Sequence, residues 1–124
     1  MRLLIIEDDL GMQETMGNYL SDYELTFVSE INTASRIIGK QGFEFDLIIT
    51  DINVPGTGGG ERILSEASSR EIEAFVYTGD TSKSESFYKS AGASKVFYKP
   101  TQLPLLADAV RMYEKKPPKE AFRR

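Results

Sequence analysis

The sequence predicts an α/β domain: one parallel five-stranded sheet, doubly wound with helices on both faces and right-handed crossovers. Three observations carry this expectation. Short apolar, β-branched runs alternate with segments whose apolar residues recur at helical spacing. Acidic residues, glycines or prolines break the chain after most of these runs. The central run, residues 46–51 (Asp-Leu-Ile-Ile-Thr-Asp), is apolar between two acids, as in a strand covered on both faces.

Residues 3–6 form a short buried strand by length and branching, and the strand ends on Glu7-Asp8-Asp9. Met12, Met16, Tyr19, Leu20 and Tyr23 then fall at helical spacing, with Asp9 a candidate cap. Residues 24–29 alternate, Leu25 and Phe27 on one face, which suggests a strand nearer the sheet edge. Asn32 or Thr33 can cap a second helix, whose Ala34, Ile37 and Ile38 form a narrow stripe and which Gly42 ends. After the central strand, Pro55 and glycines 56, 58, 59 and 60 stop any regular ladder. Ile63, Leu64 and Ala67 mark a third helix, closed by Ser68-Ser69-Arg70.

Phe75-Val76-Tyr77-Thr78 is the fourth strand, broken by Gly79-Asp80. Ser82 and Glu85 are spaced as a capping box for a helix bearing Phe87, Tyr88 and Ala91, stopped by Gly92. Residues 95–99 make the fifth strand, ended by Pro100. Thr101 can cap a last helix with Leu103, Leu106, Val110 and Tyr113 on one side. The domain therefore runs over residues 1–114. Residues 115–124, with Pro117-Pro118 and five basic residues, are expected to fray or to begin a linker.

At 124 residues the chain is one domain with room for a real core. Its net charge of −4 argues against direct nucleic-acid binding. It contains no cysteine and no histidine, which removes disulfides, thiol catalysis, the usual zinc sites and every histidine-based triad. Chemistry must come from carboxylates, hydroxyls, lysine or a hard metal. The apolar run at the amino terminus is too short for a signal peptide or a membrane span, so a cytoplasmic location is expected.

Parallel strands place their carboxyl ends on one edge, where open α/β sheets carry their sites. Four of the runs end there on a reactive side chain: Glu7 and Asp8, then Asp51, Thr78 and Lys99. Clustered carboxylates repel, and without help one of them would keep its proton. Magnesium relieves this, because it takes oxygen ligands and is often held by one or two carboxylates plus a phosphate oxygen. Asp8 and Asp51 are the candidate direct ligands, Glu7 a ligand through water, and the Asn53 carbonyl can complete the shell. Beside the metal, Asp51 can stay ionised and attack phosphorus to form an acyl phosphate. Lys99 supplies a fixed positive charge, and Thr78 a short donor for a phosphoryl oxygen.

Taken singly, the acidic triplet reads as a helix cap, Asp51 as a turn residue, Thr78 as a strand residue and Lys99 as a surface lysine. In order and at these strand ends, Glu7-Asp8, Asp51 with Pro55 and the glycines, Thr78-Gly79 and Lys99-Pro100 together resemble the receiver domain of bacterial two-component response regulators, of the chemotaxis-regulator-like kind. The resemblance spans roughly residues 1–113. It implies a flavodoxin-like (βα)5 sheet of strand order 2-1-3-4-5. It also implies that Asp51 is the phosphoacceptor, loaded from a phosphohistidine on a sensor histidine kinase or a histidine phosphotransfer protein. The module then switches a downstream output domain or protein, in a phosphorelay, rather than acting as an enzyme on a free substrate.

The chain departs from the family at three places. Val96 stands three residues before Lys99, where an aromatic residue is usual. Thr101 stands where phenylalanine often follows Lys-Pro. Ser94-Lys95 replaces an acidic pair common in regulators that dimerise through helix four, strand five and helix five, so at most a weak homodimer is expected. Asn53 and Asp80 occupy positions that in this family tune the phosphoryl lifetime. Rival readings lack their own residues. No Gly-Lys-Ser/Thr follows Gly60 to bind a nucleotide. Glu7-Asp8-Asp9 would repel a flavin phosphate. An aspartate-based phosphatase would carry a second carboxylate where Asn53 stands.

Overall fold

Every apolar run becomes a strand of a single sheet in the computed structural model, which describes residues 1–115. In chain order the elements are β1 (Arg2–Ile6), α1 (Leu10–Tyr19), β2 (Glu24–Val28), α2 (Ile31–Gln41), a 3-10 turn (Gly42–Glu44) and β3 (Leu47–Thr50). They continue with α3 (Gly59–Ser69), β4 (Ala74–Thr78), α4 (Glu85–Ala91), β5 (Lys95–Tyr98) and α5 (Leu103–Glu114). All pairings are parallel, and the order is β2-β1-β3-β4-β5, as expected. The half-exposed β2 is an edge strand, whereas β3 is buried along its whole length.

The sheet separates two cores. Leu4, Ile6, Ile48, Val76 and Val96 face α2, α3 and α4 and meet Ile31, Ile38, Ile63, Leu64 and Tyr88. Leu3, Ile5, Ile49, Phe75 and Tyr77 face α1 and α5 and meet Met16, Leu20, Leu103, Leu106 and Val110. A side chain of this kind contributes about 1.5–3 kcal/mol when fully buried. The period-two alternation within each strand thus feeds both layers at once.

The helix starts differ from expectation at three points. α2 begins at Ile31, ahead of Asn32 and Thr33, and Glu30 at its cap position makes no side-chain capping bond. The Ile31 amide instead donates to the Pro55 carbonyl at 2.8 Å, so a distant loop does the work of a cap. α4 is capped by Ser84, whose Oγ accepts from the Phe87 amide at 3.1 Å. Ser82 lies two residues ahead of that cap position, in a turn where its amide donates to Asp80 Oδ1 at 2.8 Å. Thr101 does not cap α5: Gln102 holds that position and its Oε1 accepts from the Tyr98 amide at 2.9 Å. At the first helix Asp9 does cap, accepting from the Gly11 and Met12 amides. That helix closes at Leu20, leaving Tyr23 beyond it but packed on the same core. Apart from Lys115, the expected tail lies outside the described residues.

Candidate functional site

Asp51 follows β3 directly, and its amide still pairs with the Ile6 carbonyl at 3.0 Å. That extra bond holds the residue in line with the strand, so its side chain is presented at the carboxyl edge of the sheet. Oδ1 accepts from the Ile52 amide at 2.6 Å and Oδ2 from Lys99 Nζ at 2.7 Å. Lys99 starts from the corresponding place after β5, its amide donating to the Thr78 carbonyl at 2.9 Å. Its ammonium also contacts Glu7 Oε1. Glu7 is almost wholly enclosed, at 2% exposure, and its Oε2 accepts from the Asp9 amide at 3.1 Å. Lys99 therefore bridges two carboxylates from different strands.

The electrostatics follow from this bridge. Burial, the largest influence on Glu7, raises its pKa, and the Lys99 and Asp9 bonds oppose the rise without cancelling it. Burial also disfavours the Lys99 ammonium, but hydrogen bonds to Asp51 and Glu7 outweigh it and hold its pKa above the ordinary lysine value. Lys99 is thus a permanent cation at neutral pH. Asp8 is exposed, near Glu7 and Asp51. One oxygen each from Glu7, Asp8 and Asp51 lies within 4.8 Å of the others. Three acids face one lysine, and all the donors are hard oxygens. That set fits a hard divalent cation such as magnesium and does not suit a soft metal.

Thr78 is fully buried at the end of β4, and its Oγ1 accepts from the Asp80 amide at 3.1 Å. Asp80 also receives the Asn53 side-chain amide at 3.1 Å. Hydrogen bonds from Ser82 first, and then from Asn53, hold the Asp80 carboxyl below the usual range. Asp51, Asn53, Thr78, Asp80 and Lys99 line one open cleft.

All the residues singled out in the sequence therefore reach this edge. Glu7, Asp51 and Lys99 are in contact, Asp8 is adjacent, and Thr78 and Asn53 line the cleft. Two contributors were not anticipated in their structural roles. Asp80 ties the β4 side of the cleft to the β3 side through Asn53. Gly60 lets the start of α3 lie against the strand end: a Cβ there would stand 2.1 Å from the Asp51 carbonyl oxygen. The glycine run was the available signal, and it marks close backbone approach rather than a phosphate loop.

Comparison with known proteins agrees with this fold. A family model described as the response regulator receiver domain matches residues 3–111. The transcriptional regulatory protein FlgR of Helicobacter pylori is 26% identical over 113 residues, covering 89% of this chain. The chain spans only 29% of that regulator's length. The BeF3-activated N-terminal receiver domain of Klebsiella pneumoniae RstA superposes with a TM-score of 0.80 at 20% identity, covering 94% of this chain and all of that one. A CheY-like receiver domain protein from Methanospirillum hungatei gives 0.78 at 24% identity, covering 92% and 96% of the two chains. At these identities the structural likeness is one of fold.

Proposed function

The chain belongs to the response regulator receiver domain family, a family of signalling modules, and from that premise we propose that Asp51 is a magnesium-dependent phosphoacceptor. The observation that carries this reading is the 2.7 Å contact of Lys99 Nζ with Asp51 Oδ2, beside the carboxylates of Glu7 and Asp8. A carboxylate oxygen of Asp51 forms a bond to phosphorus while the P–N bond of a phosphohistidine breaks. The leaving imidazole nitrogen keeps the bonding electron pair, and Asp51 becomes an acyl phosphate. The donor histidine is that of a sensor histidine kinase or a phosphotransfer protein; these 124 residues contain none.

Asp8 and Asp51 would hold the metal directly, Glu7 through water, with the Asn53 carbonyl completing the set. When bound, magnesium neutralises the acids and the charge on the incoming phosphoryl group. Lys99 holds and neutralises a phosphoryl oxygen from the other side, and the Thr78 hydroxyl donates to another. The load biases an equilibrium between two surface states, with α4 and β5 the mobile side. Moving that equilibrium from almost all off to almost all on requires about 5.5 kcal/mol of differential stabilisation. The reader of the switched state is an output domain or a separate protein. The likeness to a transcriptional regulator over 29% of its length supports that assignment.

The test is incubation of the chain with magnesium and acetyl phosphate, followed by intact mass. The wild type should gain one phosphoryl group, and Asp51→Asn should gain none. Equal mass gain in both proteins, or gain without magnesium, would overturn the proposal.

A further inference from the structure

Among the described residues, one buried side-chain polar atom lacks a hydrogen-bond partner: the hydroxyl of Tyr88. Tyr88 is wholly enclosed and is the only fully buried residue of α4. It belongs to the core on the Val76 and Val96 side of the sheet, with Ile52 and Tyr98 in the same cluster. A tyrosine so enclosed ordinarily finds a partner for its hydroxyl. Phenylalanine would fill nearly the same volume without the polar atom, so in this state the hydroxyl is a cost with no return.

The covalent route from the cleft to this residue is ten residues long and carries local hydrogen bonds at both ends. Thr78 Oγ1 accepts from the Asp80 amide, Asp80 Oδ1 from the Ser82 amide, and Ser84 Oγ from the Phe87 amide at the start of α4. Any movement of the Thr78 hydroxyl toward a group on Asp51 therefore pulls on the turn that leads into α4. The ion pairs near α4 are exposed and weak: Lys83, in the turn ahead of the helix, meets Glu61 of α3, and Lys89 meets Glu85 within α4 itself, so neither ties the helix to its neighbours. Val96, on the same face of the sheet, has no polar group with which to respond.

We propose that Tyr88 is the side chain through which α4 responds to the load on Asp51. Its hydroxyl, unpaired in the resting protein, gains a partner in the turn over residues 78–82 when that turn closes around a phosphoryl group. The inference rests on the phosphoacceptor reading of Asp51. Burial, and after it the carboxylates of Asp80 and Glu61, push the Tyr88 phenol up, so it remains a neutral donor within electrostatic reach of the cleft.

The experiment compares thermal unfolding of wild type and Tyr88→Phe, full chain, with and without magnesium and beryllofluoride. Without the probe, Tyr88→Phe should melt about 3 °C higher, because the unpaired hydroxyl is gone. With it, the half-saturating beryllofluoride concentration should rise about fivefold in the variant, because the loaded state has lost a hydrogen bond. In ring-labelled protein, the tyrosine signal missing from the variant should shift when the probe is added to wild type. A resting variant that melts lower than wild type would show that the hydroxyl is already paired, and would overturn the inference. So would equal half-saturation in the two proteins, or an unmoved Tyr88 signal in a wild type that binds the probe. A wild type that does not respond to the probe at all would overturn the reading of Asp51 itself, and the inference with it.

Discussion

Helix α3 has a helix on either side, and it holds the two in opposite ways. Against α2 lies a closed polar clasp. Ser35 Oγ donates to Glu66 Oε1 at 2.7 Å, and Arg62 Nε donates to Glu66 Oε2 at 2.9 Å. The same guanidinium reaches Asn32 Oδ1 and Ser35 Oγ, each at 3.0 Å, and the Thr57 carbonyl at 3.2 Å. Against α4 the contact is apolar, and the one polar atom buried with it, the Tyr88 hydroxyl, is unmet. The clasp also fastens the loop after β3, since Thr57 and Pro55 both give their carbonyls to the α2–α3 side. That loop carries Asn53. The β3 side of the cleft is thus anchored by a satisfied side-chain network, whereas α4 itself rests on α3 by packing alone, the bonds of the β4 side ending in the turn ahead of it. Under the proposed function, a load placed between them moves the second side, because a satisfied network resists rearrangement and a lone packed helix does not.

The contrast can be broken most severely at Gly60. In Gly60→Ala the new Cβ would meet the backbone of Asp51 and Ile52, which cannot move aside as a side chain would. A loss of about 3 kcal/mol is expected in urea unfolding, together with loss of phosphoryl uptake. A neutral outcome would mean that the start of α3 is not fixed.

Arg62→Ala should cost about 2 kcal/mol, since it leaves Glu66, Asn32, Ser35 and the Thr57 carbonyl short of a donor, although the partial exposure of Arg62 softens the loss. If the clasp is static, denaturant midpoints measured with and without beryllofluoride should fall by the same amount. The clasp also has a pH signature. Burial, the largest influence on Glu66, raises its pKa, but bonds from Ser35 and Arg62 more than reverse this and leave it depressed. A depressed carboxyl stabilises the fold above its unfolded value, and that contribution is lost as pH falls through the folded value. The stability advantage of wild type over Glu66→Gln should therefore be full at neutral pH and vanish in acid. An advantage unchanged at low pH would show that the bonds do not depend on the charge.

The smallest effect is expected on the loose side. Ser84→Ala removes the cap of α4 and should cost about 1 kcal/mol. Amide exchange should quicken in α4 and leave α2 and α3 unchanged. Equal acceleration in all three helices would remove the distinction between the two sides.

Much of the molecule could be read locally. Each strand is a run of a few apolar residues, and Asp51, Glu7, Thr78 and Lys99 are read from where those runs stop. Asp9 was legible as a cap because its partners, Gly11 and Met12, are two and three residues away. The capping assignments at Asn32 or Thr33, Ser82 and Thr101 failed for a common reason. Each helix start is settled by a group outside the local pattern or by a competing turn: the Pro55 carbonyl for α2, the Asp80 carboxylate for Ser82, and Gln102 folded back on β5 for α5.

Alone, the sequence determined the five strands, the five α-helices and which residues end the strands, because periodicity and chain breaks act over a few residues. Strand order came with the family resemblance, and the folded sheet bears it out. Folding alone sets Lys99 between Glu7 and Asp51, ties Asp80 to Asn53, requires Gly60 to lack a side chain, and leaves the Tyr88 hydroxyl unpaired. These are meetings of residues far apart in the chain. Their energies depend on enclosure and on the identity of the neighbour, and neither exists until the layers have packed.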